Sequence, residues 1–325
     1  MDRMEFMEKI KLRQEKLKGK LQMLNNGLSP IYNPHELKKA DNEVLSVNQG
    51  LSPGCLSCKD GTWWCLYVGH RCNLDCIYCP QGTADDKRNK VEHPQAMQRL
   101  WIDDIKAALL TVPKGTIRGI GYSGGEPLMF VEKIIDMAEF IAENFNGHPG
   151  NQYHDVYQWT YTNGLLATPE RLQRLVDAGI SEVRFHLGAT GFDPVIVNRM
   201  EVACKMFDRV SIETPSTPAM KQWAIKENGL QQAFDMGVTQ VNCSEHYFNT
   251  ERALAEYPET ETYVYTSMAR GGHTSPTFSR LITYDIIDHC VKNDIDLIIN
   301  DCSHQSRDAQ IMTRELNKDR LSEMY

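Results

Sequence analysis

No apolar run in the sequence approaches the roughly 18 residues that a membrane span requires. The amino end, MDRMEFMEKIKLRQEKLKGK, has no apolar stretch of the kind that leads a secreted chain. A surplus of positive charge is also missing. Lys and Arg number 35 against 43 Asp and Glu, a net of −8, which excludes a general nucleic-acid binder because that role needs a cationic surface. There is no internal repeat or low-complexity tract, no glycine loop of the Walker or dinucleotide type, and no cobalamin motif. What is present, 325 residues with 41% apolar and 24% charged, describes a soluble globular protein with ample material for a core. The expected address is cytoplasmic, with no membrane partner.

Cysteine is the residue in excess. Six of ten lie between Cys55 and Cys79. In a small secreted chain this would imply disulfides, but in a long unsignalled chain clustered thiols point to metal.

The first 50 residues read as a helical amino-terminal extension. Met4, Met7, Ile10, Leu17 and Leu21 recur at helical spacing over 4–24, and Asn25, Asn26, Gly27 and Pro30 stop the pattern. From Trp63 onward, short apolar runs alternate with helical patterns. Strands are expected at 64–68, 117–122, 156–161, 182–187, 210–213, 239–244 and 296–300, and helices at 102–111, 131–144, 170–178, 195–206, 220–236 and 284–292. This rhythm predicts an α/β fold with right-handed crossovers and a parallel sheet, curled into a partial (β/α)6-like TIM barrel. Catalytic groups then belong at the carboxyl ends of the strands. The expected units are the extension 1–50, a catalytic core 51–250 with its upstream cysteine-rich loop, and a carboxyl-terminal strand and helix extension 251–325 that covers or completes the barrel. Residues 269–273, Ala-Arg-Gly-Gly-His, read as a loop or lid.

After the first strand comes Cys72-Asn73-Leu74-Asp75-Cys76-Ile77-Tyr78-Cys79-Pro80, a Cys-x3-Cys-x2-Cys pattern. Three thiolates on one loop suit a four-iron cluster with one corner open. A structural zinc with a distant fourth ligand is the alternative on spacing alone. The second strand runs into Gly124-Gly125-Glu126-Pro127, which brings flexible backbone and a carboxylate to the same end.

Together these residues resemble the radical S-adenosylmethionine (SAM) superfamily, over roughly residues 63–250 and including Thr162-Asn163-Gly164. The resemblance implies a [4Fe-4S] cluster on Cys72, Cys76 and Cys79, with SAM chelated at the open iron. It places Gly124, Gly125, Glu126 and Pro127 at the SAM amino group, with Tyr78 and Asn163 in the cofactor site. It also implies reductive cleavage to a 5′-deoxyadenosyl radical, abstraction of hydrogen from a C–H bond of a small or peptide-borne substrate, an oxygen-sensitive site, and a flavodoxin- or ferredoxin-like reductant.

Alternation along the strands adds candidates. Arg184 and His186 share the face opposite Val183 and Phe185, and Glu213 opposes Ile212, so all three are expected to face the lumen. Arg184 is the candidate partner of the SAM carboxylate, and His186 and Glu213 of ribose or substrate; a buried barrel role is the alternative for each. Glu245 and His246 follow the sixth strand. Trp159 and Tyr161 read as core.

Upstream, Cys55, Cys58 and Cys65 form a candidate second metal site, iron–sulfur or zinc, against packed reduced thiols. Strand length places it below the barrel, at the amino-terminal face, with Cys204, Cys290 or His289 as fourth ligand. Cys302, after the last strand, is the candidate catalytic residue, a hydrogen donor at the mouth; an auxiliary ligand or an idle thiol are its other readings, and Cys243 invites the same idea. Two further functions stay open: a glycyl-radical-enzyme activase, and a non-catalytic iron–sulfur or zinc scaffold for electron transfer or interaction.

Overall fold

The computed structural model describes residues 22–23, 30–32, 50–79, 95–112, 115–147, 155–248, 251–267 and 271–322. Within them the strand and helix rhythm resolves as β3 (Trp63–Tyr67), α2 (Gln95–Thr111), β4 (Gly119–Ser123), α3 (Val131–Phe145), β5 (Tyr157–Thr162), α4 (Pro169–Asp177), β6 (Glu182–Phe185), α5 (Pro194–Cys204) and β7 (Arg209–Pro215). The chain continues through α6 (Pro218–Lys221), α7 (Gly229–Met236), β8 (Gln240–Ser244), α8 (Glu251–Ala255), β9 (Thr262–Ser267), β10 (Gly271–Pro276), α9 (Thr277–Asn293), β11 (Ile298–Cys302) and α10 (His304–Ser322). Before them lie β1 (Gln22–Met23), β2 (Pro30–Tyr32) and α1 (Pro53–Lys59).

Seven strands, β3-β4-β5-β6-β7-β8-β11, lie parallel in chain order and curl into a half-barrel. Each crossover returns on the same side, so one face of the sheet is covered by helices and the other encloses a lumen. The strand pattern enforces this. Ile120, Val183, Phe185, Ile212, Val241 and Ile299 are fully buried under the helices, each worth about 1.5–3 kcal/mol of burial. Their neighbours Arg184, Ser211, Asn242 and Asn300 alternate to the lumen side.

The helices start where the sequence says they should. Ser52, Thr168, Asp193 and Thr217 each precede a proline, and each side chain accepts a hydrogen bond from a backbone N–H of the first turn. Proline at the first position loses nothing, because that N–H has no intrahelical partner.

Three expectations are corrected, and one falls almost wholly outside the described residues. The predicted helix over 4–24 lies outside the described residues except for 22–23, which are extended; β1 and β2 pair antiparallel, and β2 adds antiparallel to β11. The single helix expected at 220–236 is broken by a π-turn at Gln222–Lys226 and by Asn228, whose φ of 60° ends a helical path. Residues 271–273 belong to an antiparallel hairpin, β9 with β10, and 268–270 lie outside the described residues. Finally, the segment read as a cysteine loop is the helix α1, and it lies inside the lumen. Gly54 sits against Arg184 and Trp159, and a Cβ on Gly119 would come within 2.2 Å of the Ser57 hydroxyl. The backbone of α1 and of β4 approach this closely because both carry glycine.

Arg184 locks that helix in place. Its Nε donates to Glu182 (2.9 Å), its Nη1 to Glu213 (3.0 Å) and its Nη2 to Ser52 (3.2 Å), and the guanidinium lies 4.9 Å from the Trp159 ring centre. The Ser52 amide donates to Gln240 at 2.8 Å. Cys55 completes the floor among three amides: its thiol donates to Asn242 (3.5 Å), and Gln240 (3.1 Å) and Asn300 (3.9 Å) donate to its sulfur.

Candidate active site at the carboxyl ends of the strands

A cavity of about 370 Å³ opens above this floor. One end is the loop after β3. It is stitched to the end of β4 by backbone hydrogen bonds, from Gly125 to the Gly69 carbonyl (2.9 Å) and from Glu126 to the Arg71 carbonyl (2.9 Å). Gly124 and Gly125 permit this approach: a Cβ on either would come within 2.4 Å or less of a carbonyl oxygen of the loop. Cys72, Cys76 and Cys79 line the cavity beside Gly124, Gly125, Glu126 and Pro127. Burial and mutual repulsion push the Cys76 thiol up to about 12, and burial also raises Cys72. Metal binding would have to displace these protons.

Glu126 is almost fully buried, and its environment is more satisfied than the sequence suggests. Oε1 accepts from Thr162 Oγ1 (2.8 Å) and the Leu128 amide (3.1 Å), while Oε2 accepts from the Asn163 amide (2.8 Å). About one of its four acceptor positions is left. Its first task is to tie β4 to β5. Asn163 extends that tie to the thiol loop, donating from Nδ2 to Asn73 at 2.7 Å.

The other predicted residues divide. His186 lines the cavity; its Nδ1 is buried with no hydrogen-bond partner, and burial pulls it down to about 4, so the ring is neutral. Tyr78 stands between His186 and His246, with ring centres 5.6 and 5.8 Å away, and burial raises its phenol. Glu213 lines the cavity while accepting from Arg184 and Asn242. Glu245, His246 and Tyr161 line it as well, whereas Trp159 is core. Arg184 does not serve the site as expected. All three of its nitrogens bond protein oxygens, those of Glu182 and Ser52 on the floor and that of cavity-lining Glu213, and it is not among the described residues lining the cavity.

The lower-face metal site is likewise corrected. Because α1 turns up into the lumen, Cys55 and Cys58 sit among Arg184, Glu213 and Cys302. Cys65 shares the lumen side of β3 with Gly121 of β4. Cys290 is buried under the outer helices, and Cys204 ends α5, beside Gly237. His289 lies on α9 with Cys290. Cys302 faces the lumen beneath the cavity, near Lys59 and Cys55, and does not line the cavity itself. Cys243 alternates to the buried outer face. Among the described residues no three His, Cys, Asp or Glu side chains converge on a single-ion site. A four-iron cluster asks for something different, thiolates spaced to reach separate irons, and the loop thiols are of that chemistry.

Sequence reasoning missed Arg307. It reaches the cavity from the first turn of α10, an element absent from the expected helices. Buried Glu245 beside it accepts from Tyr263 and from the His304 amide (2.8 Å); burial lifts its carboxyl to about 7 against the pull of Arg280 and Arg307.

Residues 66–212 match the Radical SAM superfamily. The match begins in β3 and ends in β7, enclosing the thiol loop, the Gly-Gly-Glu-Pro segment and Asn163. That segment is a radical SAM domain, and members of the superfamily use a [4Fe-4S] cluster and SAM. A Methanocaldococcus jannaschii protein described as a glycyl-radical enzyme activating enzyme is 25% identical over 208 residues, 62% of this chain and 52% of that protein. The PqqA peptide cyclase of Bradyrhizobium diazoefficiens is 30% identical over 119 residues, 37% of this chain and 26% of the cyclase. The chain thus spans about half the length of the first relative and about a quarter of the second. The crystal structure of Streptococcus suis SuiB superposes with a TM-score of 0.49 and 12% identity, over 90% of this chain and 59% of that one.

Proposed function

We infer that this protein is an enzyme that reductively cleaves SAM and uses the resulting 5′-deoxyadenosyl radical to take hydrogen from a C–H bond of a peptide-borne or small substrate. One observation carries this reading. The three loop thiols, the Gly-Gly-Glu-Pro wall and the unpartnered Nδ1 of His186 line a single cavity. When bound on Cys72, Cys76 and Cys79, the [4Fe-4S] cluster supplies the electron for SAM cleavage. The chain's own contribution is to hold and enclose. Gly124 to Pro127 present backbone and one remaining acceptor of Glu126 to the SAM amino group. His186 offers a neutral ring nitrogen, and Tyr78 a flat apolar face. The buried walls keep water away from a carbon radical.

Anaerobic reconstitution tests the reading. Dithionite and SAM should yield 5′-deoxyadenosine, and Cys72→Ala/Cys76→Ala/Cys79→Ala should lose about four irons and all of that product. Iron and turnover unchanged in the triple variant would sink it.

The glycyl-radical activase stands as a second reading, favoured by the description of the M. jannaschii relative. Deuterium reaching 5′-deoxyadenosine from the backbone of a partner protein would select it; transfer from a free metabolite or short peptide would reject it. A scaffold without catalysis would bind metal and give no 5′-deoxyadenosine. The electron donor in this reading is a flavodoxin or ferredoxin. A second iron–sulfur cluster would have to draw on the lumen floor, where Cys58 and Cys302 are neighbours; Cys58→Ala/Cys302→Ala would then remove metal beyond that of the loop thiols. None of the ten cysteines is in a disulfide, which suits a reducing cytoplasm. No helix among the described residues is long and apolar enough to cross a membrane.

A further inference from the structure

The charges around the cavity are unevenly matched. Glu126, Glu213 and Glu245 line it, and among the described lining residues Arg307 is the one guanidinium, with no lysine beside it. Each carboxyl already accepts from protein donors. Arg307 makes no ion pair among the described residues. Its partners are backbone carbonyls: Nε and Nη2 donate to Cys302 at 3.2 Å, and Nη2 donates to Glu245 at 2.9 Å. These bonds use three of the five N–H groups. The two on Nη1 have no partner among the described residues, and Nη1 is not one of the fully buried unpaired atoms. Arg307 lines the cavity.

The fork is rigidly aimed, because the carbonyls that hold it lie at the ends of β8 and β11. Next to it His246 is 3% exposed, lines the same cavity, and leaves Nε2 without a partner. The SAM wall stands at the ends of β4 and β5, and β6 and β7 separate the two groups around the half-barrel. A fixed cation that makes no ion pair among the described residues calls for an anion from outside the chain.

We propose that Arg307, with His246 beside it, forms a carboxylate subsite for the substrate on the β8 and β11 side of the cavity. This rests on the reading that the cavity holds the substrate. A single planar fork matches one carboxylate in shape and charge, whereas a phosphate dianion would leave charge unbalanced next to three glutamates. The carboxylate can come from an acidic side chain of a peptide, a peptide end, or a free organic acid.

Anaerobic calorimetry on the reconstituted, SAM-loaded protein separates these sources. The probes are a blocked tripeptide with glutamate, its glutamine counterpart, an alanine tripeptide with a free carboxyl end, and glutarate. At least one carboxylate probe should bind, and the glutamine peptide should not. Arg307→Gln should weaken that binding roughly ten- to a hundredfold, the scale of a lost charge-assisted pair; Arg307→Lys should weaken it less. Equal binding of the neutral peptide, no binding by any carboxylate, or binding unaffected by Arg307→Gln would overturn the proposal. So would a tenfold loss of SAM affinity in that variant, which would assign the arginine to the nucleotide. The wild-type comparison needs no variant to fold. Failure of the wild-type protein to form 5′-deoxyadenosine would instead strike the reading on which the subsite rests.

Discussion

The lumen floor and the cavity above it are made from the same strands, yet their polar groups are in opposite states. On the floor, Arg184, Glu182, Ser52 and Cys55 all have protein partners, many at or below 3.2 Å, and Asn300 Oδ1 is the exception. Around the cavity, His186 Nδ1, His246 Nε2 and Arg307 Nη1 have none among the described residues. A buried polar group without a partner costs stability, so a chain retains it where a ligand completes it. The floor is therefore structure and the cavity is a site, although Arg184 and His186 are two residues apart.

Mutations can break or sharpen that contrast. The largest effect belongs to Arg184→Ala, which strands the buried Glu182 carboxylate and should lower unfolding free energy by about 3–5 kcal/mol. A shift of the denaturation midpoint worth less than 1 kcal/mol would show that the floor network is not holding α1. Next is Glu245, whose carboxyl is raised from 4.5 to about 7 by burial. A carboxyl raised by folding favours the native state most when protonated. Its contribution is complete below pH 4.5, falls as pH rises, and is lost above about 7. That loss is on the order of 3 kcal/mol, and Glu245→Gln should remove it from the pH profile of unfolding. A profile with the same slope in the variant would reject the assignment.

His186→Gln should behave differently from both. Stability should change by about 1 kcal/mol or less, while SAM affinity, read from the perturbation of the cluster's spectrum, should drop roughly tenfold. An unaltered affinity would return His186 to the wall of the barrel. The smallest effect, about 1 kcal/mol, is expected for Asp193→Ala, which removes the side-chain cap of α5 at a residue that does not line the cavity. Thermal unfolding of this variant sets the scale for an ordinary structural loss.

Much of this arrangement was legible before any coordinates. Alternation put Arg184, His186 and Glu213 on the lumen side, and the strands after Cys65 fell within a few residues of their observed positions. What alternation could not supply was height along the lumen, and height separates a floor residue such as Arg184 from a cavity residue such as His186. The helix α1 was hidden by its cysteines, which drew attention to metal. Ser52-Pro53, the same start signal as Thr168-Pro169 and Asp193-Pro194, was its overlooked sign. Arg307 had no comparable signal, because nothing in Ser-Arg-Asp marks a residue whose partners are carbonyls at the ends of two distant strands.

By itself the sequence determined the parallel half-barrel, through two local periodicities, and the radical SAM domain within it, through thiols and glycines at short fixed spacing. Both are decided by neighbours along the chain. Only the tertiary structure decided which polar groups are satisfied, since Ser52 meets Arg184 across 132 residues and Cys55 meets Asn300 across 245. Hydrogen bonds saturate, and whether a donor is already taken depends on who stands opposite it in space.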